Sequence, residues 1–481
     1  MTGPTEPAAA PEAVDAEPAD EAVAVPEPVA APVPRILPPW RTAVLLGVLV
    51  AIGFVVRIDA LRNSALDVPT LGDAKAYEMT GWFLAEDHVL VRPYEYGDGA
   101  GAFPTAEYPP ATATFVAVAK VAHVDGATGI RTLLCAVGAL TVGLVGLSGR
   151  RLGGDGAGYL AAGIAAAYPA LWNTDVTLMA EPLAAFAGAA LVLGALAVAD
   201  RPTWWRWVAF GALAGLACFV RSEFLLIGPL LAAVVALKAV DGWGARAGRL
   251  AVAVGMVLLV LAPWTARNFA RFHELVPLSN NSGSVAKGAN CDAAYRGQYK
   301  GLWVTNVALG GTEGDPARAG CFEGFGIGYG TPNEAQVAAR LRREGLSYAR
   351  HHAGELPGVM AARVGRTVGL YRFDQQSNFA YAEGRNPTWE RRGTRGFQLL
   401  FLIGIVGLVA AAARRRLEWR RTLLLVAPAC VLVVVALTYG NPRFRAAAEP
   451  SVVVLATLAL VDAATARRTA QAEGGPGGDG G

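Results

Sequence analysis

Charge is what this sequence is short of. Only 17% of its 481 residues are Asp, Glu, Lys or Arg, and these nearly cancel, leaving a formal net charge of +3. A soluble chain of this length would divide into several domains, each needing a polar surface. There is too little charge here to supply one. No basic stripe runs along any segment, which excludes the electrostatic footprint of a nucleic-acid binder. Cysteine is scarce too, five in all, and neither C-x-x-C nor H-E-x-x-H spacing occurs, so the zinc sites those patterns build are excluded.

What fills the chain instead is apolar. Such residues make up 53% of the positions, and the mean hydropathy is +0.37. They gather into runs of about 15 to 22, close to what a helix needs to cross roughly 30 Å of hydrocarbon. The runs predict an all-α polytopic membrane protein with about ten transmembrane helices. They are 42–59, 129–148, 155–172, 178–199, 206–220, 223–239, 249–266, 397–413, 421–439 and 447–463. An eleventh stretch, 109–124, holds Lys120 and His123 and opens on Pro109 and Pro110.

Basic residues orient the spans, because loops on the cytoplasmic side carry the excess of Lys and Arg. Clusters fall at Arg35 and Arg41, Arg150 and Arg151, Arg201 and Arg206, Lys238 to Arg249, Arg414 to Arg421, and Arg467 and Arg468. With all of these inside, ten spans alternate without contradiction. Both termini are then cytoplasmic, and loops 60–128 and 267–396 lie outside, each expected to carry juxtamembrane helices. Counting 109–124 as a span would reverse the parity, so it is expected to lie along or dip into the outer surface. The implied organisation is a cytoplasmic tail over 1–34, a transmembrane catalytic module over 35–266, the outer loop 267–396, C-terminal spans over 397–465 and a second tail over 466–481. The first tail is Ala-, Pro- and Glu-rich with almost no bulky residue, and the second is Gly-rich. Both read as disordered, and the first lacks the basic start and apolar core of a cleaved leader.

Cys135, Cys218 and Cys430 fall in spans, where a small buried thiol packs like any apolar group. Cys291 and Cys321 share the large outer loop, in a compartment that permits a disulfide between them.

The ionisable residues concentrate at the outer ends of spans. Gly72 and Asp73 start a helix, with Tyr77 one turn on and on the same face as Asp73. That helix either carries Asp73 as a surface cap or holds it over the mouth of the bundle. Glu107 precedes Tyr108, Pro109 and Pro110, which fix its placement. It is either a solvated turn residue or a second carboxylate facing Asp73, sharing a base role or holding a divalent cation. Glu181 opens a span, and Arg221 and Glu223 occupy a tight hairpin. Charges so near hydrocarbon must pair with one another or face a polar cavity. Arg267 ends the seventh span, and Arg443 and Arg445 occupy the turn before the tenth. Guanidinium at headgroup depth suits phosphate, while a lone arginine there also anchors by snorkelling. His351 and His352 lie in the large loop, where histidine is commonly just solvated.

Taken in order, these segments resemble the glycosyltransferase C superfamily. They run Gly72-Asp73-x-x-x-Tyr77, Glu107-Tyr108-Pro109-Pro110, Ala180-Glu181-Pro182, Arg221-Ser222-Glu223, Pro263-Trp264-x-x-Arg267-Asn268 and Arg443-Phe444-Arg445. The nearest likeness is to the bacterial branch of protein O-mannosyltransferases and aminoarabinose transferases, over roughly residues 40–465. The resemblance implies a transferase at the outer membrane face that takes a sugar from a polyprenyl-phosphate donor, with inversion, and passes it to a glycan, lipid or protein acceptor. It implies Asp73 as base, Glu107 as the accompanying carboxylate, and Arg443 and Arg445 as donor-phosphate binders. Lys75, Tyr77, Glu181, Arg221, Glu223 and Arg267 are then candidate substrate-binding residues. The chain departs from the pattern at Ala74, where relatives carry an acid, at Ala76, where the aminoarabinose branch is basic and Lys75 is the nearest substitute, and at Tyr108, where relatives have His or Lys. A glycan polymerase or ligase fits the same pattern. A transporter would place its charges at mid-membrane within an inverted repeat, and neither is present.

Overall fold

The computed structural model describes residues 3, 39–63, 72–304, 320–322 and 333–473. Most of the first tail and residues 474–481 lie outside the described residues. In chain order the helices are α1 (Pro39–Asn63), α2 (Gly72–Glu86), α3 (Pro93–Gly97), α4 (Ala111–Val121), α5 (Gly126–Ala167), α6 (Pro169–Asp175), α7 (Glu181–Asp200), α8 (Trp204–Cys218) and α9 (Phe224–Ala239). They continue as α10 (Trp243–Phe272), α11 (Asn281–Gly288), α12 (Asp292–Tyr295), α13 (Glu334–His351), α14 (Leu356–Thr367), α15 (Phe373–Phe379), α16 (Pro387–Ala413), α17 (Leu423–Leu437) and α18 (Glu449–Glu473). The described residues contain no β-strand, and the chain is an all-α polytopic membrane protein.

Among the described residues, seven helical stretches are long and apolar enough to cross a membrane. One of them, α5, is a hairpin. Gly154 adopts φ 81°, ψ −177°, a conformation that suits residues without a side chain. The two arms fold back so closely that a methyl built on Gly149 would meet the Ala161 methyl at 2.9 Å. Two of the predicted spans therefore fall on the two arms of α5, and the runs predicted over 206–220 and 223–239 fall on α8 and α9, helices of 15 and 16 residues. The second arm stops at Ala167, because Pro169 starts a separate helix, so residues 168–172 do not belong to the span predicted over 155–172. The last helix runs on through Glu473, so residues 466–473 are helical where a tail was expected. At 1.5 Å per residue, the 11 residues of α4 cover about 16 Å, half the hydrocarbon thickness.

The two long loops, 60–128 and 267–396, are knit to each other. Glu334, at the start of α13, accepts hydrogen bonds from Thr105 Oγ1 (2.7 Å), the Ala106 amide (2.9 Å) and Asn280 Nδ2 (2.9 Å). Arg363 donates to Ala289 O (2.6 Å) and Ala436 O (3.1 Å), fastening the second loop to α17. Cys291 and Cys321 are bridged, with their Cα atoms 5.3 Å apart. Deeper in the bundle, fully buried Arg57 of α1 donates to Asp175 Oδ2 at 2.6 Å. A buried charge costs too much to stand alone, so each of these two groups depends on the other.

Candidate active site

Helix α2 packs against α4, and its first turn carries Asp73 into a cavity of about 500 Å³. Asp73 and Tyr77, one turn apart, both line it, as do Tyr108, Glu181, Arg221, Glu223, Tyr439 and Arg443. Leu225 of α9 and Val434 and Leu437 of α17 give the cavity an apolar wall. Leu437 is 65% exposed and Leu225 39% exposed, each on an apolar helix. The cavity thus joins a charged floor to a greasy side.

The floor is a continuous chain of charges. Arg443 donates to Asp73 Oδ2 at 2.9 Å and to the Tyr439 hydroxyl at 2.9 Å. It also lies 3.5 Å from Glu383 and 3.9 Å from Glu181. The Tyr108 hydroxyl donates to the other oxygen of Asp73, Oδ1, at 2.8 Å. Arg221 binds Glu181 at 2.8 Å and Glu223 at 2.6 Å, so both of its alternative pairings form at once. Behind Arg443, Arg385 pairs with Glu383 and Glu390, and Asn441 donates to Glu383 at 2.9 Å. Crowding by protein works against a charge on Asp73, but Arg443 and Tyr108 outweigh it and hold the carboxyl below its usual value. Asp73 remains 32% exposed, toward the cavity.

Glu107 is placed differently. It does not share a proton or a ligand with Asp73, because Tyr108 occupies that position. It borders a small separate void beside Leu90, Pro93 and Trp264. Its carboxylate is open to solvent on one side and otherwise hemmed in. Desolvation, together with the like charges of Glu334 and Asp73, pushes it up to about 8. With both Asp73 oxygens engaged and Glu107 beyond Tyr108, these donors do not form a cation site as arranged. Among the described residues no three His, Cys, Asp or Glu converge on one.

Three expected substrate-binding residues lie away from the cavity. Arg445 is buried, bonded to Glu449 (2.9 Å), Thr367 O (2.9 Å) and Thr394 Oγ1 (3.2 Å), and it ties the last turn into the bundle. Its neighbour Arg443 points the other way because the turn Pro442–Ala447 is a tight 3₁₀ helix. Arg267 donates to Thr105 O (2.8 Å) and Leu90 O (3.0 Å), stapling the first long loop to α10. Lys75 pairs with Glu78 at 3.1 Å on the far face of α2. His351 and His352 border another depression, with His352 stacked on Tyr348 at 4.0 Å.

The structure also brings in residues that sequence reasoning passed over. Tyr439 stood beside the Arg443 segment, and Tyr108 stood in the Glu-Tyr-Pro-Pro run as a mere departure. Glu383 and Glu334 carried no local signal. Arg342, on α13 beside Arg343, carried none either.

No family model matches the chain, and no curated protein matches it. Solved structures do. The apo oligosaccharyltransferase of Archaeoglobus fulgidus superposes with a TM-score of 0.51 at 12% identity, over 92% of this chain and 53% of that one. The same enzyme tethered to an acceptor peptide bearing the Asn-Val-Thr sequon gives 0.50 at 13%, over 91% and 51%. ArnT of Cupriavidus metallidurans bound to undecaprenyl phosphate gives 0.40 at 18%, over 90% and 79%. This chain spans about half the length of the oligosaccharyltransferase it matches. What the likeness to the oligosaccharyltransferase shows is a shared fold.

Proposed function

We propose that this protein transfers a sugar from a polyprenyl-phosphate donor to an acceptor hydroxyl at the outer face of the membrane. The observation that carries the reading is Asp73, a carboxylate that opens onto the cavity while a guanidinium keeps it ionised. The apolar wall beside it suits a lipid tail, and the charged floor suits a sugar and its phosphate. The shared fold with an oligosaccharyltransferase agrees with a glycosyl transfer.

In the reaction the acceptor oxygen attacks the anomeric carbon from the side opposite the phosphate. The carbon–oxygen bond to the phosphate breaks, and its electron pair leaves with the lipid phosphate. Asp73 takes the acceptor's proton. Arg443 holds Asp73 in the resting site and stabilises the charge growing on the phosphate as the bond breaks. Its hold on Asp73 weakens as it does so, which makes Asp73 a better base at the step that needs one. Arg221 is locked by Glu181 and Glu223 and shapes the floor. Glu107 lies behind Tyr108, on the loop segment that sets the Tyr108 hydroxyl on Asp73.

The test is a membrane assay with a radiolabelled polyprenyl-phosphate sugar. Asp73→Asn should lower transfer by about 10²–10⁴-fold with donor binding retained. Full transfer by that variant would show that Asp73 is not the base.

A further inference from the structure

The cavity lining carries three carboxylates, Asp73, Glu181 and Glu223, and three guanidiniums, Arg221, Arg443 and Arg342. Two of the guanidiniums are committed. Arg443 lies on Asp73 and reaches toward Glu181 and Glu383, and Arg221 lies between Glu181 and Glu223. Three carboxylates against two guanidiniums leave the floor net negative. An arriving phosphate would be repelled there unless another positive charge met it first.

Arg342 is that charge. It stands on α13, on the wall formed by the large outer loop. Among the described residues its guanidinium meets the Ser282 hydroxyl at 3.3 Å and no carboxylate. It is exposed to the cavity space, so its donors are free to bind a ligand. One helical turn on, Leu346 lines the same cavity and is 44% exposed, continuing the apolar side made by Leu225, Val434 and Leu437. An unpaired cation beside an apolar strip matches an amphiphile with an anionic head.

We infer that Arg342 is the residue that captures the phosphate of the lipid-linked donor, a specificity-determining role resting on the transferase reading above. Arg342 acts in binding, from the loop wall, and Arg443 acts in bond breaking, from the floor. The two therefore separate kinetically. Replacing Arg342 raises the donor KM, and replacing Arg443 lowers kcat.

The full chain in nanodiscs is titrated with a polyprenyl monophosphate and with the matching neutral polyprenol, for the wild type, Arg342→Gln and Arg342→Lys, each with its melting curve. The wild type should prefer the phosphate. Arg342→Gln should lose about ten- to a hundredfold of that preference at unchanged melting temperature, the span expected of a hydrogen bond to a charged group. Arg342→Lys should keep part of it. If the wild type prefers the phosphate and Arg342→Gln prefers it equally, this assignment is wrong while the transferase reading stands. If the wild type does not distinguish phosphate from alcohol, both fall. If Arg342→Gln instead weakens only a hexuronate-bearing acceptor in the transfer assay, the arginine reads the acceptor and the assignment is again overturned.

Discussion

Adding one methyl group at Gly138 should break the most deeply buried ion pair in the bundle. Gly138 lies in the first arm of α5, against the Arg57–Asp175 pair. A Cβ there would sit 2.1 Å from Asp175 Oδ2 and 2.6 Å from Arg57 Nε. Carbon and oxygen need roughly 3.5 Å, so one partner must retreat by more than about 1 Å. From a starting distance of 2.6 Å that retreat carries the pair past hydrogen-bond range. Both side chains are essentially inaccessible, at 0% and 1% exposure, so water cannot replace the lost partner. A buried pair broken in this way costs about 3–5 kcal/mol. At about 1–2 °C per kcal/mol for a chain of this size, Gly138→Ala should melt roughly 3–10 °C below the wild type in detergent. Gly143→Ala on the same helix is the control, since its Cβ meets only the end of the Val50 side chain, at 3.2 Å. The two variants share any intrinsic gain from replacing glycine in a helix. Equal melting temperatures for the two would refute the argument that Gly138 exists to admit the pair.

Further tests address the site and the loops. Arg443→Ala removes the group that holds the Asp73 carboxyl down. The acid limb of the transfer profile should therefore move to higher pH, and an unmoved limb would mean that Asp73 does not govern it. Glu107 has its carboxyl pushed up to about 8, so it takes up protons more readily folded than unfolded. It favours the folded chain below about pH 4.5 and loses that advantage as pH rises toward 8. Glu107→Gln should match the wild type in acid and melt higher at pH 8, and the reverse order would contradict the like-charge crowding. Cys291 and Cys321 close a loop of sequence separation 30, a constraint worth about 3–4 kcal/mol by chain entropy. Cys291→Ser should speed hydrogen exchange in α12 and α13 and leave that of α7 unchanged; uniform exchange would place the loop's stability elsewhere.

Part of this protein can be read directly from the order of its residues. Hydrophobic run length is a local property, and the bilayer imposes one minimum on every span, so the helices and their approximate limits follow from composition alone. Alternation of basic loops is likewise local, and it set apart 109–124, of which α4 covers 11 residues. The concentration of ionisable residues beside spans marked Asp73, Glu181, Arg221, Glu223 and Arg443, because charge near hydrocarbon is rare without a partner or a cavity. Which partner each residue takes is not local. Arg443 and Asp73 are 370 positions apart, and only packing brings them to 2.9 Å. Arg443 and Arg445 look alike in sequence, yet the 3₁₀ turn sends one to the cavity and the other into the core. The break at Tyr168 between α5 and α6, the exchange of Glu107 for Tyr108 at Asp73, and the one guanidinium lacking a carboxylate partner among the described cavity residues were equally hidden. Each depends on which surfaces meet once the helices assemble, and side-chain pairing in a membrane is settled by that three-dimensional balance of charge and burial.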